Sequence, residues 1–158
     1  RAARLEPATL TFIFLWEVGE GMPMDPEEIR SKVLYALRFV TDPEIPINVI
    51  DLGLIRELEV EDSRVHIKMV MTAPRCPYSA MILQRVEESV RSAVPGVQEV
   101  RVDLELFPPW TPFDMTERGR EQFKRVYGYD LVESFLKRYG SVENYYELVR
   151  KYYGIGEE

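Results

Sequence analysis

Ile29, Val33, Leu34, Leu37 and Val40 recur at the period of a helix, and the segment opens with Asp25-Pro26-Glu27-Glu28. Asp25 is the expected N-cap, and Pro26 takes the first helical position, where its missing N–H costs nothing. Pro43 closes this helix and pushes Asp42 out of helical geometry. The period then shortens to two. Leu54, Leu58 and Val60 share one face of residues 54–60. Val65, Ile67, Met69 and Met71 alternate with Arg64, His66 and Lys68 across residues 64–71. Glu61-Asp62-Ser63 between them is turn chemistry, so a hairpin is predicted. From Pro77 the helical period returns, with Ile82, Leu83, Val86 and Val90 inward, until Pro95-Gly96 breaks it near Ala93. Val100, Val102, Leu104 and Leu106 then line one face of a strand over 97–107.

The order α-β-β-α-β predicts an α+β two-layer sandwich with a small three-stranded sheet, over residues 22–114. Pro108-Pro109-Trp110-Thr111-Pro112 is a rigid exit from the sheet, with Trp110 either covering its edge or roofing a pocket. Asp114 reads as the start of a further helix, with Glu117 in the capping-box position. Residues 115–158 differ in texture: seven of the nine tyrosines lie between Tyr127 and Tyr153. Tyr-Gly recurs at 127–128, 139–140 and 153–154, each suited to a helix end with glycine just beyond it. Two or three short amphipathic helices are expected there, forming either a cap on the sheet or a tyrosine-rich interaction surface. Residues 1–21 read as an extension outside the domain, with Met22 or Met24 as the natural start; an added edge strand is the alternative. The apolar run at 8–16 is too short to span a bilayer.

Charge narrows the function. With 20 basic and 27 acidic residues the net charge is −7, which argues against nucleic acid and against an anionic membrane surface. A soluble, cytoplasmic protein is expected. One cysteine excludes an intramolecular disulfide and, with one histidine, a self-contained zinc site of four cysteines or of two cysteines and two histidines; the single His66 also removes most Ser-His-Asp options. His66 falls on the polar strand face and reads as a solvated side chain. A metal held through Cys76 therefore needs carboxylates, a second chain or an outside ligand.

Cys76 lies in Thr72-Ala73-Pro74-Arg75-Cys76-Pro77. With Pro77 in the first helical turn, Cys76 becomes the expected N-cap. There its sulfur would face unsatisfied backbone N–H groups, which favours a reactive or metal-binding thiol more than a mid-helix position would; taken by itself, a small buried hydrophobe is still the leading reading of a single cysteine. Asp42-Pro43-Glu44-Ile45, Asp51-Leu52-Gly53-Leu54 and Pro108-Pro109-Trp110 are the other turn-rich segments. If they share one sheet edge with the cysteine loop, Asp42, Glu44, Thr72 and Cys76 face a common cleft.

These four segments, in this order, together with Pro95-Gly96-Val97 and the Thr116–Arg120 helix start, resemble the PaaD-like and SufT-like family of small iron–sulfur assembly domains. The resemblance covers about residues 29–125. It implies a cytosolic iron–sulfur cluster assembly or maturation factor, acting as carrier, scaffold or targeting adaptor and not as an enzyme. It places the family's reactive cysteine on Cys76, which would bind the metal. It places the clustered acidic and hydroxyl positions on Asp42, Glu44 and Thr72, and leaves Asp51 a structural turn cap. The implied cargo is a labile iron–sulfur cluster; since one thiolate is too few for it, the other ligands would come from the Cys76 of a second chain in a homodimer, from Asp42 or Glu44, or from a small thiol. The implied partners are apo iron–sulfur client proteins and an Mrp-type P-loop scaffold ATPase. An adaptor that docks those partners without carrying a cluster is the alternative. Where the family often has glycine before the cysteine, this chain has Arg75. It also lacks the cysteine-rich C-terminal region of the PaaD members proper, which argues against a dedicated phenylacetate-pathway role.

Overall fold

The computed structural model describes residues 24–154. The extension expected over 1–21 lies outside them. Helix α1 (Pro26–Leu37) starts as its sequence dictates: the Asp25 carboxylate accepts from the Glu27 N–H, and Ile29, Val33 and Leu37 are buried. Strands β1 (Ile55–Glu61) and β2 (Arg64–Met69) form the expected antiparallel hairpin. Helix α2 (Ser79–Ala93) then returns the chain, so that β3 (Glu99–Leu104) pairs with β2 in parallel. The sheet order is β1-β2-β3. Helices α1 and α2 pack against each other and cover one face, α1 over β1 and α2 over β3. This is an α+β two-layer fold.

The core is made by the alternation read from the sequence. Val65, Ile67 and Met69 of β2 meet Ile29, Val33 and Leu37 of α1 and Ile82, Val86 and Val90 of α2 in one apolar cluster. The opposite sheet face carries a cross-strand ion pair, Lys68 with Glu57 at 3.0 Å, and a cross-strand hydrogen bond between His66 and Asp103 at 2.7 Å. Hydrogen bonding from His66 holds the Asp103 carboxyl below the usual carboxylate range. Strand β3 is shorter than its pattern suggested. It ends at Leu104, and Leu106, expected inward, is exposed.

The tail contains three helices, α3 (Glu117–Tyr127), α4 (Leu131–Tyr139) and α5 (Val142–Tyr153), each closed by the glycine of a Tyr-Gly pair with positive φ. The helix expected at Asp114 is instead a single 3-10 turn, Pro112–Asp114, because the Asp114 carboxylate folds back onto the Thr111 N–H. Thr116 then caps α3 by accepting from the Gly119 N–H.

Asp130 joins the first two tail helices. It caps α4 through the Val132 N–H and takes a two-pronged contact from the Arg120 guanidinium, closest at 2.6 Å. That hydrogen bond holds the Asp130 carboxyl below its ordinary value and raises Arg120. A depressed folded-state carboxyl stabilises the fold above its unfolded value, and the contribution is lost as pH falls through the folded value. Asp130→Asn keeps the cap but not the ion pair, so its stability is expected to fall less steeply than wild type below about pH 4. Urea unfolding across that range checks it.

Candidate functional site

Cys76 does not cap a helix. Helix α2 begins two residues later than its proline suggested, at Ser79, with Tyr78 in the cap position. Pro77 and Tyr78 belong to a turn closed by the Ser79 N–H donating to the Cys76 carbonyl at 3.2 Å. The reason lies one residue upstream. Arg75 has φ +57°, a left-handed conformation that costs an L-residue about 1 kcal/mol and redirects the chain before the helix forms. The cysteine therefore sits on a strained turn between β2 and α2. It is partly exposed and lines a narrow recess of about 40 Å³ with Val70, Met71, Pro74, Leu106 and Pro109.

Glu105 lines the same recess, although no motif or spacing points to it as a site residue. It lies just past β3 and pairs with Arg56 at 3.8 Å. Arg56 in turn occupies an irregularity in the β1–β2 register, where one residue is skipped between Ile55 and Glu57. From there its guanidinium also donates to the Pro108 carbonyl and approaches Asp114.

The other expected site residues stand in different settings. Thr72 opens the cysteine loop but lines a second, wider cleft of about 590 Å³, walled by Trp110, Tyr129, Phe135, Arg138, Tyr139 and Tyr145. Cys76 is not among that cleft's walls. Asp42 is buried, and one carboxylate oxygen accepts from the N–H groups of both Glu44 and Ile45 at 2.9 Å. Its hydrogen bonds are thus satisfied within its own turn. Glu44 is exposed, and its carbonyl accepts from the Tyr127 hydroxyl of α3. Among the described residues no three of His, Cys, Asp and Glu converge in a way that would hold a metal ion.

Asp51 is a docking point. Its buried carboxylate accepts from the Asn48 amide at 2.8 Å and from the Thr116 hydroxyl at 2.9 Å, and its carbonyl accepts from the Thr116 N–H. The same Asp51 turn that precedes the hairpin thereby holds the start of the tail. Trp110 secures the neighbouring residue: it is buried, and its indole N–H donates to the Leu52 carbonyl at 2.6 Å. It both covers the sheet exit and walls the wide cleft. Trp110→Phe takes away that donor while keeping most of the ring, and is expected to lower stability by about 2 kcal/mol in chemical unfolding.

Residues 30–104 match the family model described as "Iron-sulfur cluster assembly protein". The chain is 44% identical over 93 residues to an Fe-S protein maturation auxiliary factor of Porphyromonas gingivalis, a match spanning 58% of this chain and 88% of that protein. The chain belongs to the iron–sulfur cluster assembly family. A second member, the Fe-S protein maturation auxiliary factor SufT of Staphylococcus aureus, is 35% identical over 80 residues, spanning 50% of this chain and 89% of the relative. The fold agrees. A domain of unknown function from Bacillus anthracis superposes with a TM-score of 0.58 at 28% identity, covering 61% of this chain and 92% of that one. Asp42, Glu44, Asp51, Thr72 and Cys76 all lie inside the segment matched to the assembly family, whereas Trp110 and the three tail helices lie beyond it.

Proposed function

We propose that this chain is an iron–sulfur maturation factor that works in the cytoplasm, receives a labile cluster as cargo through Cys76 and passes it to apo iron–sulfur proteins. The observation that carries the reading is the setting of Cys76. A partly exposed thiol stands on a strained turn in the family's matched segment, and no metal-holding group of three surrounds it among the described residues. An iron–sulfur cluster usually takes four protein ligands. One thiol per chain therefore does not fit a resident cluster, but it does suit a transient one whose remaining ligands come from a second copy, from Glu44 or from a small thiol. Asp42, satisfied within its turn, is the weaker candidate. A two-fold dimer that brings two Cys76 side chains together is the simplest such arrangement. The protein turns over no small-molecule substrate in this reading.

Activation of an apo iron–sulfur enzyme tests it. Protein reconstituted anaerobically with iron and sulfide is expected to restore the client's activity faster than free iron and sulfide do, and to elute as a dimer while loaded. Activation no faster than with the free ions would refute the carrier role.

A second reading is favoured by the tail. Tyr127, Tyr129 and Tyr152 are exposed, Tyr152 most of all at 73%. Such a surface suits an adaptor that docks clients or an Mrp-type P-loop ATPase without itself holding a cluster. In that case Cys76→Ser leaves client capture intact, and substitutions of these tyrosines abolish it.

A further inference from the structure

Arginine at a left-handed position needs an explanation, because glycine would adopt φ +57° without strain. The side chain supplies one. Its Nη2 donates to the Tyr153 carbonyl at 3.2 Å, and the guanidinium stacks over the Tyr153 ring at 5.8 Å. That carbonyl belongs to the last turn of α5, where carbonyls lack partners within the helix and the helix dipole favours a cation. Helix α5 is anchored a second time. Arg150 lies over the Phe107 ring at 4.6 Å, and Phe107 meets Tyr146 edge-on at 5.6 Å. Phe107 stands between Leu106 and Pro109, which are walls of the Cys76 recess, and Arg75 is a wall as well. One helix thus grips both rims of the recess that holds the cysteine.

We propose that Arg75 is a positioning residue and that α5 is a strap: clamped onto Arg75, it holds the Cys76 loop closed, and its displacement opens the thiol to larger reactants. This rests on Cys76 being the working residue of the proposed carrier and adds how its access is set. It also assigns a task to a tail that lies outside the segment matched to the assembly family. A partner that docks on α5 and draws it from Arg75 would unlock the cysteine at the moment of transfer.

The test uses the full chain without iron. Cys76 alkylation is followed with small iodoacetamide and with a bulky fluorescent maleimide, in wild type, Arg75→Gly, Tyr153→Ala and the double variant. Rates are compared on the high-pH plateau, where every thiol is ionised, and the ratio of the bulky to the small reagent cancels the change in nucleophilicity and reports access. Arg75→Gly is expected to speed the bulky reagent about fivefold, the scale of one stacked cation and one hydrogen bond. Tyr153→Ala should act in the same direction, and the double variant should be no faster than Arg75→Gly, since both break one clamp. Melting temperatures should stay within about 3 °C of wild type, because glycine relieves the backbone. Unchanged plateau rates would overturn the proposal. So would independent, multiplying effects, or an equal rise for both reagents with a lowered melting temperature, which reports general loosening. Because no iron is involved, a failure of cluster uptake and a failure of the strap are read separately.

Discussion

Gly53→Ala is expected to cost about 4 kcal/mol and to lower the melting temperature by more than about 10 °C. Two effects coincide at this position. Its φ of +74° disfavours any side chain, and an added Cβ would stand 1.8 Å from the Asp114 carbonyl oxygen, a distance no real Cβ tolerates. The obstructing atom is backbone, so either the turn before β1 or the 3-10 turn at 112–114 must move. Gly119 repeats the clash without the strain. A Cβ there would lie 2.2 Å from the Asp51 carbonyl oxygen, and Gly119→Ala is expected to cost about 3 kcal/mol. Gly96 separates the two causes. It has φ +86° but nothing within 4 Å of the added carbon, so Gly96→Ala should cost only about 1 kcal/mol of backbone strain. Denaturant unfolding of the three variants checks the ranking. A Gly53→Ala cost equal to that of Gly96→Ala would show that the turn and tail do not meet as described.

Cys76→Ser is expected to abolish activation of an apo-client, to the level given by free iron and sulfide, while leaving stability within about 1 kcal/mol of wild type. The side chain is partly exposed and packs only against the edge of the core, so an oxygen in place of sulfur removes little burial. A hydroxyl is a poor ligand for iron in place of thiolate, and the chain has no second cysteine to take its role. Far-UV circular dichroism and a melt run beside the activation assay separate loss of function from loss of fold. A variant that activates the client as well as wild type would place the work elsewhere.

The parts of the fold legible in the sequence are those set by neighbours a few residues apart. The Asp25-Pro26 start, the alternation in β2 and the three Tyr-Gly ends follow from local geometry, and each stands where the pattern put it. The start of α2 lies two residues beyond the one Pro77 suggests, because proline is equally at home in a turn, and only the left-handed Arg75, held by a residue 78 positions away, shows that the chain is still turning there. Asp114 reads as a helix start for a similar reason: two cap patterns follow one another, Thr111 to Asp114 and Thr116 to Gly119, and only the second starts the helix. The contacts that shape the site are long-range. Gly119 on Asp51, Trp110 on Leu52, and Glu105 lining the Cys76 recess join segments with no shared period. For Gly119 a signal was present, since a glycine in the first turn of an amphipathic helix marks a close approach of backbone.

The most direct measurement is iron bound per chain after anaerobic reconstitution with iron and sulfide, for wild type and Cys76→Ser in parallel, with visible absorption recorded on each. The account predicts a cluster spectrum in wild type, iron in a ratio consistent with one cluster between two chains, and neither in the variant. Equal iron in both proteins, or none in either while clients are still activated, would contradict it.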